Sequence, residues 1–202
     1  PPKGVRGEYD PINEIQSKEQ SLVLKFSNLE GGYKAAAKKT LYTNSGNSYL
    51  IYDRMKMYMY GTSLGHITDV DTDIYFFLRF GLGDDYYEIT QPVFEGWDEE
   101  EGRNSIDLDL SWLTKLKLQS EENIQKFRPT DVFQDSAGVR KYSFTGEDGL
   151  PTGKEIILQG LPSLSRIQYF TVGITNVADN PISGEVWIDE LRLSGVKKDK
   201  GI

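Results

Sequence analysis

The chain has 202 residues, 38% of them hydrophobic, enough for one domain with its own core. Its formal net charge of −8 opposes phosphate backbones and excludes nucleic acid as an expected partner. No cysteine is present, so disulfides and cysteine-based zinc sites are excluded, and no apolar run is long enough to cross a bilayer as a helix.

Twelve tyrosines, nine phenylalanines and three tryptophans favour strands, while 20 glycines and eight prolines supply turns. Residues 1–20 are polar and proline-bearing, and read as a linker. PPKGVRG at the start and SGVKKDKGI at the end read as cut ends, so the absence of a signal peptide carries no information on location. SLVLKFS (21–27) alternates as a strand, with Leu22, Leu24 and Phe26 on one face. LEGGYKAAAKK (29–39) reads as a loop with a helical turn over its alanines. LYT (41–43) and SYLIY (48–52) flank the turn signal NSGN.

RMKMYMY (54–60) places Met55, Met57 and Met59 on one face of a strand. Arg54, Lys56, Tyr58 and Tyr60 take the other. DIYFFLRF (73–80), the turn GLGDD and YYEITQPV (86–93) predict a hairpin. SIDLDL (105–110) is a further strand. SWLTKLKLQSEENIQKF (111–127) is the one helix, capped by Ser111, with Trp112, Leu113 and Leu116 along a stripe. Residues 128–153 read as loop. KEIILQ (154–159), RIQYFTVGITN (166–176) and GEVWIDELRL (184–193) close the chain as strands. No internal repeat or low-complexity segment is evident. Closely spaced strands joined mostly by turns predict a mainly β fold, an antiparallel two-sheet β-sandwich with one short helix. The domain is expected over 21–195, with 1–20 as linker and 196–202 as tail.

The last strand poses a parity problem. Val186 and Ile188 point to one face, Leu191 and Leu193 to the other. A bulge near Asp189–Glu190 resets the phase; a central strand covered on both faces is the alternative. Trp187→Ala is expected to cost roughly 3–5 kcal/mol if the ring is buried.

Few side chains suggest chemistry. His66 is the only histidine, which rules out the usual zinc sets and reads as structural or solvent-facing. Asp69, Asp71 and Asp73 form D-x-D-x-D, but Ile74 and Phe80 occupy the glycine and glutamate positions of a helix–loop–helix calcium loop. A looser calcium site there is the alternative to a plain charged loop. WDEEEG (97–102) reads as a solvated turn or a dock for a basic partner. Glu88 and Glu95 are candidates for the paired acids of a glycan-active enzyme, but their separation is not fixed by sequence and acids alone are common on surfaces. No cofactor is expected. Tyr58, Tyr60, Tyr75 and Phe77, with Arg54, Lys56 and Arg79, make one aromatic-basic outer face if their two strands are neighbours; Tyr86 adds to it. Such a face stacks on sugars or anchors a protein, unless a second layer covers it.

The ending VWIDELRL resembles the closing strand of galactose-binding-like jelly rolls, including many carbohydrate-binding modules, and that resemblance implies a structural calcium at Asp189 as an alternative to a plain strand acid. RGEYD (6–10), YDRMKMYMYG (52–61), LPSLSRIQYFTVGITN (161–176) and GEVWIDELRLSG (184–195) occur in the order seen in the SprA (Sov) family of Bacteroidetes. Asp189 stands where that family often has asparagine, and Glu8 where it has proline. The resemblance implies a jelly-roll module of a very large outer-membrane protein needed for type IX secretion and gliding motility. Its implied partners are other domains of the parent chain and cell-envelope secretion proteins, with no membrane insertion by this segment. The implied function is non-catalytic, structural or interacting, in the cell envelope. A carbohydrate-binding module, with a glycan partner, is the alternative; a glycan-active enzyme is a third reading.

Overall fold

The computed structural model describes residues 9–10, 15–16, 21–42, 45–62, 67, 72–97, 103–118, 129–134, 138–145 and 151–196. His66, Asp69, Asp71 and the acids of 98–102 lie outside them, as do 119–128, which hold the second half of the expected helix.

Within the expected linker, β1 (Tyr9–Asp10) pairs with β2 (Ile15–Gln16) as a two-stranded sheet. The rest is a two-sheet antiparallel sandwich. One sheet holds β3 (Leu22–Leu29), β5 (Tyr52–Gly61), β8 (Gly96–Trp97), β9 (Ser105–Asp109) and β14 (Ile182–Val196). Its order is β3-β14-β5-β8, with β9 also on β5. The other holds β4 (Lys34–Thr40), β6 (Ile74–Leu82), β7 (Asp85–Pro92), β10 (Pro129–Gln134), β11 (Val139–Thr145), β12 (Pro151–Gln159) and β13 (Tyr169–Asn176). Its seven strands run β10-β11-β12-β7-β6-β13-β4. The consecutive strands β3 and β4 lie in different sheets, and each pairs with one of the consecutive strands β14 and β13. That paired exchange between layers is jelly-roll connectivity.

Alternation fills the space between the sheets. Met55, Met57, Met59, Val186 and Ile188 face in from one layer, and Ile74, Phe76, Leu78 and Phe80 from the other, all in one core cluster. The β6–β7 hairpin turns through Gly83 and Asp84 between the paired residues Leu82 and Asp85. Gly83 adopts φ 57°, as a tight turn with glycine first requires.

The predicted bulge is present. On β14, Asp189 pairs with Tyr58 and Arg192 with Lys56, so three steps on one strand match two on the other. Leu193 thereby returns to pack on the core, while Leu191 stays 42% exposed at the bulge.

Four expectations are corrected. The alanine-rich stretch forms edge strand β4 rather than a loop with a helical turn; pairing along its whole length with β13 outweighs alanine's modest helix preference. Among the described residues the stretch around NSGN forms no strand pair: Asn47 bridges Ile167, and of 48–52 only Tyr52 enters a strand. The proline- and glycine-rich stretch 128–153 contains β10, β11 and the start of β12. Pro129 and Pro151 sit at strand starts, where a missing N–H costs the sheet little. Finally α1, Leu110–Leu118, is capped by Asp109 rather than Ser111: the Asp109 carboxylate accepts from the Ser111 backbone N–H at 2.8 Å.

Helix α1 buries Leu110, Leu113 and Leu116 in the core, and its last turn meets β11 of the seven-stranded sheet. Its final carbonyls find donors on β11. The Tyr142 hydroxyl donates to Leu116 O at 3.2 Å, and the Arg140 guanidinium to Lys117 O at 3.2 Å.

Candidate functional site

Strand assignment decides the fate of the expected aromatic-basic face. β5 and β6 belong to different sheets. Tyr58, Tyr60, Arg54 and Lys56 therefore lie on the outer face of the five-stranded sheet. Tyr75, Phe77 and Arg79 lie on the outer face of the seven-stranded sheet, on the far side of the core. The single face does not form, because the hairpin partner of β6 is β7 and the neighbours of β5 are β14, β8 and β9.

The outer face of the seven-stranded sheet covers itself. Glu88 is 2% exposed and accepts from Arg79 at 2.7 Å (Nε) and 2.6 Å (Nη2); Lys34 Nζ stands 3.5 Å from its other oxygen. Phe77 lies over Gly173, where a Cβ would come within 2.5 Å of the ring. The vacancy above that glycine lets an outward-facing phenylalanine reach 3% exposure. Three cations cap aromatic rings: Lys34 on Phe77 at 4.7 Å, Lys38 on Tyr169 at 4.0 Å and Arg79 on Tyr86 at 4.0 Å. Tyr75 is half-buried at the edge of this array, with its hydroxyl beside Gly153.

The outer face of the five-stranded sheet is arranged in rows. In one, Trp187 pairs with Tyr60 and Tyr60 with Trp97. Their centroids are 5.4 and 5.2 Å apart, and both ring pairs are tilted by 46°. All three rings are half-buried, so the full burial on which the large expected cost of Trp187→Ala depended is not met. In the next row Asp189 stands opposite Tyr58, and Tyr58 opposite Ser105. In the third, Asp107 accepts from Arg54 at 2.7 Å and pairs with Lys56 at 3.2 Å. Glu185, beside the aromatic row, accepts from Trp187 Nε1 at 2.9 Å and from Lys25 at 3.3 Å. The indole hydrogen bond, then the ammonium, hold its carboxyl below the usual carboxylate range.

Neither Trp97 nor Trp187 was singled out for this surface by sequence reasoning. Outward parity shared with Asp189 was the signal for Trp187; Trp97 gave none, since β8 has only two residues. The Arg79–Glu88 pair was also missed: the hairpin was expected with GLGDD as its turn, whereas strand pairing continues to Leu82 and Asp85 and so sets Arg79 opposite Glu88.

Carboxylates are dispersed rather than convergent. Glu88, Asp107 and Glu185 are ion-paired, Glu155 pairs with Lys141 at 2.6 Å, and Asp109 caps α1. Glu95 is exposed beside its bridge to Gly61. Among the described residues no three acidic or imidazole side chains gather as a metal site. A cavity of about 170 Å³ opens where β9 and α1 meet the other sheet. Its walls are mostly apolar, from Ile89, Ile106, Leu108, Trp112, Phe144 and Ile156. No helix among the described residues is long and apolar enough to cross a membrane.

No curated protein matches the chain. The family model described as motility related/secretion protein, SprA_N, matches residues 2–202, nearly the whole sequence with its closing strand and its methionine strand. The chain belongs to this motility- and secretion-related family.

Proposed function

We propose that the chain is a non-catalytic structural and interaction module of an outer-membrane translocon that serves type IX protein secretion and gliding motility. Its partners are other domains of the parent protein and envelope secretion proteins. The observation that carries this reading is the family match over residues 2–202. The side-chain arrangement supports it. Acids that a hydrolase would turn toward substrate are tied to Arg79, Lys141, Lys25 and the Arg54–Lys56 pair. Half-buried aromatics and charges on two opposite outer faces suit docking between larger parts.

In-cell photo-crosslinking tests the proposal. A photoreactive residue replaces exposed Lys38 on edge strand β4 in the parent protein. Adducts with envelope secretion proteins, or with another region of the parent chain, are expected. Absence of adducts at this position and at exposed Arg54, together with polysaccharide turnover by the purified chain, would overturn it.

A further inference from the structure

We propose that the outer face of the five-stranded sheet binds a neutral oligosaccharide, stacked on Trp97, Tyr60 and Trp187 and hydrogen-bonded to Asp189. The proposal is independent of the envelope role: either can stand without the other.

The aromatic row is the first support. Trp187, Tyr60 and Trp97 come from three different strands, β14, β5 and β8, yet form direct cross-strand neighbours. They cover two strand spacings, about 10 Å. Aromatic rings accept the C–H face of a pyranose, which is apolar while its rim is all hydroxyl. Trp187 is already fixed by its bond to Glu185, which Lys25 holds in turn. Little ordering remains for a ligand to impose on that ring.

The second support is Asp189. It is 4% exposed and shares the outward parity of Trp187. Its carboxylate makes no hydrogen bond or ion pair among the described residues. Thr90 Oγ1 is the one fully enclosed side-chain polar atom there without a partner, so the Asp189 oxygens keep contact with solvent. A nearly buried carboxylate needs donors. The hydroxyls of Tyr58 and Ser105, in the same row, are likewise unengaged among the described residues.

Charge selects the ligand. Asp189 and Glu185 repel anions. The cations of this face are occupied: Lys25 by Glu185, Arg54 and Lys56 by Asp107, and Arg192 is engaged as well. Acidic sugars and phosphates therefore lack a free countercharge. An apolar protein segment could cover the rings, but it would leave Asp189 without a donor. A neutral sugar supplies both the stacking face and the hydroxyl.

Cellohexaose and maltohexaose are titrated into the full chain, followed by calorimetry and tryptophan fluorescence, with heparin as the polyanion comparison. At least one hexasaccharide is expected to bind saturably, and heparin more weakly. Trp97→Ala and Asp189→Ala each weaken binding about tenfold or more. Asp189→Asn, which keeps an acceptor and the side-chain volume, loses less and guards against a folding defect. Tyr75→Ala, on the opposite face, leaves affinity unchanged. The proposal is overturned if neither hexasaccharide binds at millimolar concentration, if heparin binds as tightly, or if Trp97→Ala and Asp189→Asn both leave affinity unchanged. Sugar-insensitive self-association that Trp97→Ala abolishes would also overturn it, assigning the face to a second copy of the chain.

Discussion

Asp189 stands opposite Tyr58 at the last regular position of β14 before that strand gains one residue on β5. Without the extra residue, one of the two amino acids after Asp189 would fall opposite Met57, which faces the core at 2% exposure. Two single-residue deletions remove the same bulge with different consequences. Deleting Glu190 puts Leu191 at the inward position, in phase with Ile188 and Leu193. Deleting Leu191 puts Glu190 there instead, an unpaired charge in an apolar layer. Urea denaturation should show the Leu191 deletion to be the less stable by more than about 2 kcal/mol. Equal stabilities would mean that the bulge does not set the phase of β14.

Gly173 tests how Phe77 is buried. An added Cβ would meet the Phe77 ring at 2.5 Å and the Ala35 carbonyl at 2.7 Å. Gly173→Ala is expected to destabilise by about 1–3 kcal/mol through overpacking. Adding Phe77→Leu should restore part of the loss, since the clash is with the ring. Chemical melts of the single and double variants measure the coupling.

The buried carboxylate of Glu88 depends on Arg79. Arg79→Ala leaves Glu88 with Lys34 alone, at 3.5 Å, and should cost roughly 3 kcal/mol. Replacing both partners, as Arg79→Met with Glu88→Leu, should recover most of that, because an apolar pair carries no desolvation cost. A double variant no more stable than Arg79→Ala would show that the pair itself, rather than the orphaned charge, determines the stability.

Alkaline stability should fall in a defined window. Tyr87 is buried, with its hydroxyl donating to Pro162 O at 3.0 Å. Burial, partly offset by Arg140, raises its pKa from 10.0 to about 12. Burial raises Tyr142 and Tyr169 as well. A tyrosine that ionises at lower pH when unfolded makes the unfolded state hold fewer protons in that range, so stability decreases as pH rises. The Tyr87 contribution is fully present below pH 10 and lost between pH 10 and about 12. Thermal melts from pH 9 to 12 should show this fall, with a shallower slope in Tyr87→Phe. An unchanged slope in that variant would place the effect elsewhere.

Much of the fold was legible because its signals are local. The methionine row marked the inner face of β5, the GLGDD segment marked the β6–β7 hairpin, and clashing parity in VWIDELRL pointed to a bulge, with a strand covered on both faces as the alternative. The misread segments depend on distant partners. β4 is a strand because β13 lies alongside it, and β11 because β12 does. Neither pairing is encoded in the segment's own composition. The candidate surface failed for the same reason. Tyr58 and Tyr75 were each placed correctly as outward-facing, but parity within a strand does not say which sheet the strand joins. The row from Trp187 to Trp97 needs three strands distant in sequence, and only tertiary pairing assembles it.

The central structural claim is that β5 and β6 lie in opposite layers, so that Tyr58 and Tyr75 point away from each other. Because the chain has no cysteine, Tyr58→Cys with Tyr75→Cys gives two unique spin-label sites. Pulsed dipolar spectroscopy should report a separation well beyond the roughly 10 Å between packed sheets. Strong dipolar broadening from labels on neighbouring strands, about 5 Å apart, would contradict the two-layer arrangement and reunite the residues on one face.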